Sequence, residues 1–225
     1  MARIDIKGAI ISNDIKWIYD WFEEDSTCPR DVDKVLNDGA TDDVEIYINS
    51  GGGDVFAGSE IYTLIKNSKR NCKIYITGVA ASAASVIAMA SYCEMSPTAS
   101  MMIHNASSLA SGDYRDMQHM SDTLKTINET IRNAYTSKTG KSSDEFKQLM
   151  DEESWFSAQK AKDIGLIDAI MFEESPQDRF LASYGSIIPQ SVINKMKAQR
   201  QQEMGNRNQI KLENQLKLLK LKEEI

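Results

Sequence analysis

Lys73-Ile74-Tyr75-Ile76-Thr77-Gly78-Val79-Ala80-Ala81-Ser82-Ala83-Ala84-Ser85 decides how the 225-residue chain is read. Ile74 to Thr77 combine β-branched and aromatic residues and stop at a glycine, the pattern of a buried strand. Beyond the glycine come alanine and serine with nothing bulky at the entry, which predicts a helix from about 80 to 95. A strand that turns sharply into a helix of small side chains presents one hydroxyl at the helix N-terminus. The backbone N–H groups there are unpaired and the dipole favours negative charge. A serine nucleophile needs that setting, and Ser82 is the candidate. On this stretch alone, a close-packed small-residue helix with incidental serines reads equally well.

Outward from this unit, strands and helices alternate. Residues 2–11 alternate apolar and polar and read as an opening strand. Ser12 and Asn13 are placed to cap a helix whose Trp17, Ile18, Trp21 and Phe22 form an apolar face. A short helix is predicted near Asp31–Leu36, stopped by Gly39. Val44–Ile48 is a strand that runs into the loop Asn49-Ser50-Gly51-Gly52-Gly53-Asp54, and Val55 to Asn67 continue as a helix. A strand at Ser100–His104, a long helix at about 113–139, helices at 143–152 and 157–164 capped by Ser143 and Ser157, and a last strand at Asp168–Phe172 complete the body. The alternation implies an α/β fold with right-handed crossovers. The chain thus divides into a body at 1–175, a linker at 176–190 around Tyr184-Gly185-Ser186 and Pro189, and a tail at 191–225. In the tail Leu212, Leu216 and Leu219 fall at helical spacing.

The composition is that of a globular chain, 41% apolar and 26% charged. The net charge of -7 argues against a nucleic-acid binder. It divides unevenly: residues 189–225 carry eight basic and four acidic groups, whereas the first 188 carry 18 and 29. Three cysteines without metal-ligand spacing (Cys28, Cys72, Cys93) and an opening too charged for a secretory leader predict a reducing, intracellular setting with no metal site. Ile74 to Cys93 hold no charge for 20 positions, the length of a membrane span. Gly78 and the serines split them into a strand and a weakly apolar helix, so a buried core is expected instead.

The glycines at 51–53 do not form a dinucleotide fingerprint, because position 56 is Phe56. Thr139-Gly140-Lys141-Ser142 is not a phosphate loop, because position 135 is Tyr135 and a helix precedes it. The remaining use of a glycine loop beside a serine helix is to donate N–H groups to an oxyanion. A hydroxyl nucleophile needs a base, and the chain has two histidines. His104 ends a predicted strand, while His119 sits among polar neighbours in the long helix and reads as a surface residue. His104 is therefore the better base. The orienting acid falls within Asp151-Glu152-Glu153, and periodicity does not choose among the three.

Tyr47-Ile48-Asn49-Ser50-x-Gly52-Gly53, Gly78-x-Ala80-Ala81-Ser82, Met102-Ile103-His104 and Ser157-Ala158-x-x-Ala161-x-x-x-Gly165-Leu166-Ile167-Asp168, in this order, resemble the Clp-type serine peptidases, the ClpP proteolytic subunit. Within them the chain looks most like the ClpP-related proteases encoded by phages, which act in head maturation. The resemblance spans roughly residues 2–173. It implies a ClpP/crotonase-like spiral of β-β-α units with a long handle helix, followed here by the helical tail. It implies Ser82 as nucleophile, His104 as base, and Gly53 and Ala83 N–H groups as the oxyanion hole. Matching Trp155-Phe156-Ser157-Ala158 places Glu153 where the family has an aspartate, with Asp151 as the alternative acid. No cofactor is implied.

The partners implied are peptide substrates and further copies of the chain in stacked heptameric rings, in the host cytoplasm or a procapsid. A capsid or scaffold protein would be held by the tail. Two departures stand out. Gly51 replaces a common proline, which should loosen the loop, and the chain opens directly on its first strand, which suggests cleavage without the usual unfoldase ATPase. The competing readings are a crotonase-type acyl-CoA enzyme, which needs no Ser82/His104 pair, and an inert body whose tail serves assembly.

Overall fold

The structure, a computed structural model, describes residues 1–173, the span of one compact unit. The linker and tail expected after residue 175 lie outside the described residues. Strand β1 (Ala2–Ile10) is followed by α1 (Lys16–Trp21), β2 (Ser26–Thr27), α2 (Pro29–Leu36), β3 (Val44–Gly53) and α3 (Val55–Asn67). Then come β4 (Cys72–Ala81), α4 (Ala83–Ala88), β5 (Tyr92–Met95), β6 (Ser100–Ile103) and the long α5 (Tyr114–Thr139). The unit closes with α6 (Ser143–Asp151), β7 (Ser154–Ser157), α7 (Ala158–Ile164) and β8 (Ala169–Ile170). Strands interleaved with helices and paired in parallel make this the expected α/β fold.

The sheet runs β2-β1-β3-β4-β5-β8. Ile46 and Ile48 on β3 and Ile74 and Ile76 on β4 point inward, fully buried with Val32, Ile61 and Ile87 of the covering helices. The intervening residues point outward, where Tyr47 and Tyr75 stack at 5.1 Å and the Arg3 guanidinium lies 4.1 Å over Tyr47. Period-two burial on one face of two central strands forms the middle of the apolar core.

Strand β4 is the pivot. Lys73–Ile76 pair with β5, whereas Val79–Ala81 pair with β6, so the sheet divides along this strand. The register with β3 jumps from Ile48↔Ile76 to Ser50↔Ala80, leaving Thr77-Gly78-Val79 opposite Asn49. The Asn49 carboxamide fills the gap by accepting from the Val79 N–H at 3.1 Å, and a Cβ on Gly78 would lie 2.3 Å from that same oxygen. The bulge redirects β4 toward the site.

Several expectations need correction. The helix predicted for about 80–95 is only Ala83–Ala88, and Tyr92–Met95 form β5 instead. Backbone pairing with Lys73–Ile76 and the Lys73–Glu94 ion pair at 2.8 Å override the local helix preference. The supposed loop at Gly51–Gly53 is the end of β3, paired with Ala9 and Ile10. Neither Ser12 nor Asn13 caps α1, whose N-cap Ile15 makes no side-chain bond. Ser12 bonds Asp14, and the Asn13 carboxamide accepts from the Arg30 N–H at 2.8 Å, serving the start of α2. No residue of α1 is buried in this unit, and Trp17, Trp21 and Phe22 are exposed. The N-cap of α6 is Ser142, one residue before the expected Ser143. Ser154–Ser157, for which the sequence predicted no strand, form β7, antiparallel to β6, while Ser157 also caps α7 as expected.

Candidate active site

The sharp turn between β4 and α4 falls on Ser82, with φ 54° and ψ -124°. A serine seldom holds a positive φ, and it persists only where its surroundings determine it. Here the Ser82 N–H donates to the Met102 carbonyl at 3.0 Å, tying the turn to β6. Its carbonyl accepts from the Ser85 hydroxyl at 2.6 Å and the Ser85 N–H at 3.0 Å. A strained strand-to-helix turn of this kind lifts the hydroxyl out of the sheet. Ser85 thus bonds the turn twice, a role the sequence reading did not assign to it.

Strand β3 closes on this turn because position 52 has no side chain. A Cβ on Gly52, at φ +97°, would lie 2.7 Å from both the Ala81 oxygen and the Ser82 Cβ and 3.0 Å from the Ala83 nitrogen. Ser50 fixes the same corner, donating to the Gly8 carbonyl at 2.6 Å while accepting from the Gly52 N–H at 3.1 Å. Ala83, the first residue of α4, has an N–H with no acceptor inside its helix. Gly53 ends β3 alongside.

His104 directly follows β6 and is half-buried, with Nε2 2.8 Å from the Ser82 Oγ. It reaches this position because β6 pairs in parallel with Val79–Ala81, bringing the two strand ends together. His119 lies exposed on α5.

The acidic run is distributed by the turn that ends α6. Asp151 is exposed and committed elsewhere. One carboxylate oxygen accepts from the Asn105 carboxamide at 2.8 Å, and the other pairs with Lys147 at 2.7 Å. Lys147 first, then Asn105, holds this carboxyl below the usual carboxylate range. Glu152 accepts from Gln148 at 3.0 Å. Glu153 holds φ 50° immediately before β7. The antiparallel ladder of β6 and β7 ends on the pair Ile103 and Ser154, so His104 directly follows one strand and the exposed Glu153 directly precedes the other. Among the described residues no carboxylate hydrogen-bonds His104.

Ser82 and His104 open onto a cleft of about 290 Å³ whose walls include Val55, Tyr62, Val86, Ile131 and Tyr135. Its mostly apolar lining suits an apolar group of a bound molecule. Among the described residues no group of three or more His, Cys, Asp or Glu gathers as metal ligands, and no helix is long and apolar enough to cross a membrane.

A family model described as Clp protease matches residues 35–174. Among solved structures, a point mutant of ClpP1 from Listeria monocytogenes is similar, with a TM-score of 0.63 and 26% sequence identity. That match covers 78% of this chain and 92% of that one.

Proposed function

This chain belongs to the Clp protease family, a family of serine-type peptidases with a ring-forming, ClpP-like fold, and we propose that it cleaves peptide bonds with Ser82 as nucleophile and His104 as general base. The observation that carries the reading is the 2.8 Å approach of His104 Nε2 to the Ser82 Oγ on a strained turn. In acylation the Ser82 hydroxyl gives its proton to Nε2 as Oγ attacks the peptide carbonyl. Collapse of the tetrahedral intermediate breaks the C–N bond, and the imidazolium returns the proton to the departing amine. Water then repeats the cycle on the acyl-enzyme and frees Ser82. We assign the developing oxyanion to the N–H groups of Gly53 and Ala83. Glu153 takes the orienting role, supported by its place directly before β7, the strand paired with β6, and by the engagement of both Asp151 oxygens elsewhere. The close Ser82–His104 pair favours peptide hydrolysis over an acyl-CoA reaction, which does not use it.

The substrates we propose are phage head or scaffold proteins, and the assembly a pair of stacked heptameric rings docked through α5. The phage resemblance supports the first, and the exposure of nearly all of the first half of α5, residues 114–123, supports the second. Residues 189–225 would recruit the head protein, so their deletion should abolish that recruitment while short-peptide cleavage continues. A fluorophosphonate should label Ser82, and Ser82→Ala should lose both labelling and turnover, by about 10⁴-fold or more in kcat. Peptide turnover that survives in Ser82→Ala would refute the assignment.

A further inference from the structure

Two polar side chains beneath the proposed nucleophile have no part in the triad. Ser85 on α4 is 0% exposed and Tyr135 on α5 is 1% exposed. The Ser85 Oγ donates to the Ser82 carbonyl oxygen at 2.6 Å and lies 2.8 Å from the Tyr135 Oη. A serine hydroxyl carries one hydrogen. Because Ser85 spends it on the Ser82 carbonyl, Ser85 must accept from the phenol, and the order is Tyr135 O–H to Ser85 O–H to Ser82 C=O. Burial pushes the Tyr135 phenol above its ordinary pKa, so it stays protonated and able to donate. Its ring is fixed from α6 by stacking on Phe146, with centroids 5.4 Å apart.

The consequence lies in the peptide plane. The Ser82 carbonyl and the Ala83 N–H belong to one trans peptide unit, in which C=O and N–H point in opposite directions. Whatever holds the carbonyl toward Ser85 therefore aims the Ala83 N–H away from it. Donors on a peptide carbonyl also polarise the unit and strengthen its N–H as a donor. Resting on the reading of Ser82 as nucleophile, we propose that Tyr135 and Ser85 are positioning residues that lock the Ser82–Ala83 peptide, holding Oγ toward His104 and presenting the Ala83 N–H to the oxyanion. The strained φ and ψ of Ser82 are thereby held from both sides, by Met102 at the N–H and, at the C=O, by this relay together with the Ser85 and Val86 N–H groups.

The test compares Ser85→Ala, Tyr135→Phe and the double variant, each removing oxygen without adding bulk. Each single change should slow fluorophosphonate labelling and lower kcat about tenfold, the worth of one buried hydrogen bond, with KM unchanged. The double variant should be no slower than Ser85→Ala, because Tyr135 acts through Ser85. Wild-type rates, a loss confined to KM, or fully additive losses would overturn the relay. The ¹³C carbonyl resonance of Ser82, assigned by its disappearance in Ser82→Ala, should move upfield in both single variants. A resonance that stays in place overturns the relay whatever the activity. Absence of labelling in the wild type would instead overturn the peptidase reading and leave the carbonyl shift to decide the hydrogen-bond order.

Discussion

Replacing Gly52 by alanine probes the support of Ser82 directly. The residue sits at φ +97°, where an L side chain costs about 1–2 kcal/mol. Its Cβ would approach the Ala81 oxygen and the Ser82 Cβ to 2.7 Å and the Ala83 nitrogen to 3.0 Å. Two of those three atoms are backbone, and none is the far end of a flexible side chain. Overpacking of this kind costs about 1–3 kcal/mol, so the local strain reaches about 2–5 kcal/mol. The easiest relief is to push the Ser82–Ala83 peptide away from β3, and a shift of about 1 Å at reacting atoms costs about 100-fold in rate. The neighbouring glycine is the control. Gly51 has no positive φ, and a Cβ there meets no heavy atom within 4 Å. Gly51→Ala should therefore retain activity and raise stability by about 0.4–1 kcal/mol by restricting the unfolded chain. The assays are kcat/KM on a fluorogenic peptide, fluorophosphonate labelling of Ser82, and thermal unfolding. Wild-type kcat/KM in Gly52→Ala, or equal damage from the two substitutions, would refute the close-approach argument.

The assignment of the acid separates two further variants. Glu153→Gln should lower kcat by about 10²–10⁴, as expected when an imidazole loses its orienting carboxylate. Asp151→Asn should leave kcat near wild type, since its oxygens serve Asn105 and Lys147; the opposite ranking would move the role to Asp151. Arg70, with 4% of its side chain exposed, donates to the Val35 and Asp42 carbonyls and pairs with Asp38 and Asp42. Arg70→Ala should cost about 2–4 kcal/mol in chemical denaturation, and Arg70→Lys should recover only part of it, because an ammonium lacks the guanidinium's fork of donors.

The alternating isoleucines of β3 and β4 made these strands legible, because period-two burial leaves a mark in composition wherever one face is buried. Tyr92–Met95 left no such mark. Their small, uncharged neighbours resemble a continuing helix, and only the pairing with β4 makes them a strand. The same limit hid β7, whose four residues become a strand through antiparallel pairing with β6. At the site, the shortage of histidines pointed to His104, and the strand-to-small-helix junction pointed to Ser82. Neither pattern says that their side chains stand 2.8 Å apart. That distance depends on β6 joining the second half of β4, a non-local pairing made possible by the Asn49-filled bulge.

The linear order of residues by itself determined the α/β class, the identity of the long helix, and the serine and histidine to be weighed as a pair. These depend on periodicity and residue chemistry, which act over a few neighbours. Tertiary structure alone decided that the glycines at 51–53 end a strand whose Gly52 presses against Ser82, that Asp151 is occupied by Asn105, and that Ser85 meets Tyr135. Each of these joins residues about 30 or more positions apart in the chain. Such choices are made by register and close packing, and neither is written in local sequence.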